Sequence, residues 1–77
     1  MKRVALASVT GPGVDRPAPS AGVALSLAIT LANRESDEAT FYVRFGDEVV
    51  ARVERDAFGA LRIVPLAGYR AAEAVAS

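Results

Sequence analysis

The sequence predicts an all-β domain: a small antiparallel β-sandwich or open barrel, built on a four-stranded meander and entered through an extended arm rich in proline and glycine. Three observations point there. Residues 23–33 alternate large apolar and small side chains with period two. Three later stretches alternate as well, and their apolar positions share one parity. Residues 10–22 hold three of the four prolines and three of the six glycines, which suits irregular or extended chain.

In chain order, residues 3–9 read as a short first strand. "TGPGVDRPAPSAG" then reads as a loop or extended arm, because proline lacks the N–H that a central strand needs. In residues 23–33, Val23, Leu25, Leu27, Ile29 and Leu31 take the odd positions, with Ala24, Ser26, Ala28, Thr30 and Ala32 between them. Period two is the mark of a strand with one large-residue face, so a strand is expected here despite the alanines. Residues 39–45 follow with Phe41, Val43 and Phe45 odd; residues 48–55 with Val49, Ala51 and Val53; residues 60–64 with Leu61 and Ile63.

Pairing follows from that shared parity, because facing residues of antiparallel neighbours lie on one face. Leu31 is expected opposite Ala39, and Val53 opposite Leu61. A two-residue turn at Gly46-Asp47 would place Glu48 and Arg52 on the phenylalanine face. A three-residue connection, 46–48, pairs Phe45 with Val49, Val43 with Ala51 and Phe41 with Val53, and is preferred. A sheet with one apolar face needs a cover. No helix of adequate length is foreseen to supply it, so the sheet folds over on itself or a second copy covers it. Residues 65–77 suit either a short helix or a last strand.

The 77 residues make a single domain, divided as an N-terminal strand and arm (1–22), the meander (23–64) and a C-terminal segment (65–77). A domain of this size buries only roughly 60% of the surface of its unfolded chain. Such chains often need a staple, and cysteine and histidine are both absent. That excludes disulfides and thiolate metal sites and removes the commonest general base. Association with copies of itself or with a larger assembly is the staple left. Net charge is zero, which gives nucleic-acid binding little electrostatic support.

No serine has a histidine beside it, and the one lysine is Lys2; a hydroxyl nucleophile needs an adjacent base, so no enzyme, catalytic residue, cofactor or metal is expected. The acidic residues cluster at 35–38, 47–48 and 54–56 beside arginines, as solvated hairpin tips do. Lys2, Arg3 and the apolar run 4–7 mimic a secretory leader, but the run is far shorter than one requires. Residues 21–32 are too few to span a bilayer. A chain made in the cytoplasm, without a membrane partner, is expected.

Candidate contact residues come from two features. The stripe Ala24, Ala28 and Ala32 presents small side chains, which let another backbone approach closely, whether the chain's own or a neighbour's. Tyr42 and Arg44, of types enriched at interface centres, share its parity in the next strand. Pro17 and Pro19 lie in the arm, which is suited to reach a neighbouring subunit.

Residues 19–53 also carry a family likeness. Pro19 and Gly22, the ladder Leu25 to Leu31, Asn33, Ser36, and Phe41 with Val43 form a pattern that resembles small β-sandwich proteins of tailed-bacteriophage virions. The resemblance implies a multicopy, non-catalytic structural protein: capsid decoration or cement, a head–tail connector, or a fibre-attachment piece. Its implied partners are other virion proteins and further copies around a symmetry axis, and its implied location is the virion. In that family the pattern runs on into further strands, so a reduced fold completed by neighbours is expected. The other reading of the residues is a free binding module that recognises a ligand or peptide through a sheet face or edge.

Overall fold

The computed structural model describes residues 7–70. It contains five strands and one helix: β1 (Ala7–Gly11), β2 (Val14–Ala18), α1 (Ala21–Arg34), β3 (Ala39–Phe45), β4 (Glu48–Arg55) and β5 (Leu61–Pro65). The strands form one antiparallel sheet in the order β2-β1-β3-β4-β5. The chain is thus mostly β, as expected, but its second layer is a helix and not a second sheet.

The largest correction concerns residues 23–33, which are helical. Two periodicities coexist there. The large residues repeat every second position, while Ala21, Ala24, Ala28 and Ala32 repeat at three and four, the spacing of one helix stripe. All four alanines are fully buried, and Leu25, Leu27, Ile29 and Leu31 flank them half-buried. Four alanines and three leucines also make this 14-residue segment intrinsically helix-favouring. Ser20 starts the helix: its carbonyl accepts the first helical bond from Ala24 at 2.9 Å, and its Oγ accepts from the Val23 amide at 3.1 Å, satisfying a donor that has no partner within the helix. Thr30, on the solvent side, donates its hydroxyl to the Ser26 carbonyl.

Residues 10–22 are not an arm either. Pro12 and Gly13 form a two-residue turn between β1 and β2, with Gly13 at φ 68°. Pro12 pre-sets the first turn position, and glycine takes the left-handed second at little cost. Pro17 lies within β2, at the sheet edge, where its missing N–H breaks no ladder bond. Of the expected first strand, residues 7–9 are in β1, and residues 3–6 lie outside the described residues, as do residues 71–77 of the C-terminal segment.

The β3–β4 hairpin resolves its two sequence readings with a bulge. The turn is Gly46-Asp47, and Phe45 faces Glu48. The register then shifts at Val43/Arg44, leaving Val50 as the extra residue of β4. Beyond it, Val43 faces Ala51 and Phe41 faces Val53, as expected from parity. The bulge also lets Val50 and Ala51, adjacent in sequence, both be buried. Val53 faces Ile63, and Leu61 faces Arg55, two residues from the expected pairing of Val53 with Leu61, a shift that keeps the same face.

The core lies between α1 and the sheet. Phe41 is its largest fully buried side chain, with Val9, Val43, Val50 and Val53 around it. Gly11 is part of this packing: a Cβ there would lie 2.7 Å from Phe41 Cε2 and closer still to Cδ2. Overpacking of this kind costs ~1–3 kcal/mol. Gly11→Ala is therefore expected to lower the urea midpoint, and Phe41→Leu, which removes the obstructing ring, to shrink that loss in a double-mutant cycle.

Candidate interaction surfaces

A 14-residue helix is about 21 Å long, too short to cover five strands. It packs on β3, β4 and β1, and barely reaches β5. Among the described residues, nothing covers the sheet face away from the helix, and little covers the strip around β5.

The bare face is read from the register. One row holds Thr10, Tyr42, Arg52 and Val64; rows beside it hold Ser8, Arg44 and Val49, and Thr40, Glu54 and Arg62. Tyr42 is 40% exposed. Arg44 Nη2 donates to the Asp47 carbonyl across the β3–β4 turn, and Arg52 Nε donates to Glu54 Oε2 in a third-exposed ion pair. Such pairs contribute at most about 1 kcal/mol. At the β4–β5 end, Glu38, Thr40, Glu54, Asp56 and Arg62, together with Leu61, line a hollow of about 650 Å³ that is both polar and apolar. No group of three or more acidic side chains among the described residues is placed to hold a metal ion.

The β5 strip has different chemistry. Ile63 is 47% exposed. With Leu25 of the helix, Pro65, Leu66 and Tyr69 it lines an open, mostly apolar groove of about 670 Å³. Beside the groove runs the outer edge of β5, with which no strand among the described residues pairs. Leu66 donates its amide to Val50 and Asp56 donates to Ala60, so even-numbered residues of β5 turn their backbone groups toward β4. Alternation then turns those of Leu61, Ile63 and Pro65 outward. At the start of β5, Asp56 organises a tight turn: its Oδ1 accepts from the Phe58 and Ala60 amides, and Gly59 sits at φ 90°. Phe58, at the tip of this turn, is 96% exposed.

The other edge is blunted. The closing pair Gly11–Val14 directs alternate residues of β2 toward β1, leaving Asp15 and Pro17 facing out. Proline offers no donor, and a charge beside it discourages pairing.

Of the sequence-derived contact residues, Tyr42 and Arg44 are neighbours on the bare sheet face, and Pro17 lies at the far edge of that face. Pro19 is exposed in the link between β2 and α1. Ala24, Ala28 and Ala32 are corrected: their close approach is to the chain's own sheet, where they are wholly buried. Ile63, Phe58, Leu25, Leu66 and Tyr69 were not singled out by sequence. Phe58 left one signal, a lone aromatic inside the connection from Asp56 to Gly59.

The described residues form two layers, one helix on a five-stranded antiparallel sheet, and among them one sheet face is uncovered and one edge is open. No protein family, curated protein or solved structure matches the chain. No helix among the described residues is long and apolar enough to cross a membrane.

Proposed function

We propose that this protein is a non-catalytic binding module that joins a protein partner by strand addition at β5. One observation carries the reading: β5 turns the N–H groups of Leu61 and Ile63 outward beside an apolar groove, whereas β2, with Pro17 on its outer edge, turns out only the N–H of Asp15 and has no such groove beside it. In strand addition, main-chain hydrogen bonds supply affinity and flanking pockets supply specificity, and the β5 strip has both elements. The resemblance that implies a virion role lay partly in Leu25 to Leu31 read as a strand; those residues are helical, and the present reading rests on the edge instead. A multicopy assembly such as a virion is a setting in which strand addition would serve.

The test is a photo-cross-linking residue placed singly at Ile63, Tyr42 and Val23 in the full chain, in the cells that produce it. These positions sample the edge, the bare sheet face and the exposed side of the helix. Protein adducts are expected at Ile63 and not at the other two. Adducts at Tyr42 with none at Ile63 would move the binding surface to the sheet face and contradict the reading.

A further inference from the structure

We propose that the occupant of the β5 edge is the β5 strand of a second copy, paired antiparallel about a two-fold axis at Ile63. This inference rests on the strand-addition reading and names its partner.

Hydrogen bonding selects the register. With the axis at Ile63, each Ile63 exchanges both backbone bonds with its counterpart, and each Leu61 amide donates to the Pro65 carbonyl of the second copy; because proline has no N–H to return the bond, only the Leu61 carbonyl of each copy lacks a donor. With the axis at Arg62, the same number of bonds forms, but the two Arg62 side chains face each other, and like charges directly opposite are destabilising. With the axis at Val64, only the Ile63 amides find acceptors. The Ile63 register also sets Arg62 against Val64 of the second copy, leaving each Arg62 beside Glu54 of its own chain, its partner across β4.

Shape supports the same arrangement. The exposed Phe58 lies beyond one end of β5, and the groove of Leu25, Pro65, Leu66 and Tyr69 lies at the other. Antiparallel pairing brings the N-terminal end of each strand to the C-terminal end of its mate. Both Phe58 turns therefore arrive beside the second copy's groove. A protrusion and a matching recess at opposite ends of one strand are what a self-complementary two-fold interface requires. The alternative of joining β5 to β2 of another copy is heterologous and would grow open filaments; Pro17 and Asp15 on the outer edge of β2 oppose it. Zero net charge adds no overall repulsion between copies.

The experiment is sedimentation equilibrium of the full chain and of Ile63→Lys and Phe58→Ser over micromolar concentrations, with circular dichroism and melting as folding controls. The wild type is expected at twice the chain mass. Ile63→Lys is expected to be monomeric, and Phe58→Ser to dimerise at least about tenfold more weakly, both with wild-type spectra, since both residues are exposed in the single chain. Single cysteines at 63 and 62 test the register in a chain that has none of its own. Facing residues at a hydrogen-bonded site are about 5.5 Å apart between Cα atoms, within disulfide reach, so Ile63→Cys is expected to cross-link faster than Arg62→Cys. A wild-type monomer throughout overturns self-pairing, and so does a dimer indifferent to both surface substitutions. A monomer that still gives adducts with another protein at Ile63 in cells removes the second copy and leaves strand addition standing. An insensitive dimer with adducts only at Tyr42 removes both.

Discussion

Replacing Phe41 with alanine is expected to lower the urea midpoint of the chain more than any other single truncation. Phe41 is the largest side chain with no solvent exposure, and it sits under the helix between Gly11 on β1 and Val53 on β4. Truncating a buried phenylalanine costs ~3–5 kcal/mol, as lost transfer energy and as the cavity left behind. A domain of this length has a total stability of roughly 4–12 kcal/mol, so one substitution removes a large fraction. Collapse of α1 into the gap is limited, because alanines already bring the helix backbone close to the sheet. Phe58→Ala is the matched control. The same atoms are removed from a 96% exposed position, and the denaturation midpoint of the monomer is expected to stay put. Urea titrations of the two variants, followed by far-ultraviolet circular dichroism, check the contrast.

The second large effect is Ala28→Leu. Ala28 is wholly buried at the middle of the stripe that lies on β3 and β4. Three added carbons have no room unless the helix lifts away, and lifting it uncovers the core along its length. Overpacking costs ~1–3 kcal/mol when neighbours can shift, and here both neighbours are backbone-close layers, which places the expected loss at the upper end. Ser26→Leu adds more apolar bulk two residues earlier, at an exposed position, and is expected to change the midpoint little. The pair discriminates between secondary structures. A strand would put positions 26 and 28 on one face and make the two substitutions alike; a helix separates them by about 200°.

That comparison also shows why the sequence misled at this segment. Its large residues obey period two and its alanines obey the helical period, and burial alone decides which set faces the core. Helical packing buried the small set, a choice that depends on how closely a sheet of alanines and valines lets a helix approach. In β3 and β4 no such conflict exists: Phe41, Val43, Ala51 and Val53 alternate and are all buried, and their pairing was legible even though the bulge at Val50 was not. Proline and glycine in residues 10–22 read as irregular chain because their tolerated places, a two-residue turn and an edge strand, depend on the sheet order. The candidate site was hardest to see for the same reason. Tyr42 and Arg44 announce themselves by residue type, but Ile63 becomes an exposed edge residue only because β5 is last in the sheet and α1 stops short of it.

The central claim, an open β5 edge that pairs with a second copy, is tested most directly by amide hydrogen exchange read residue by residue at two protein concentrations. Arg62 and Val64 donate toward β4 and are expected to be protected at both. Leu61 and Ile63 point outward and are expected to exchange rapidly in dilute solution and to gain protection as the concentration rises. Rapid exchange of Leu61 and Ile63 at every concentration, with Arg62 and Val64 protected throughout, would contradict the pairing.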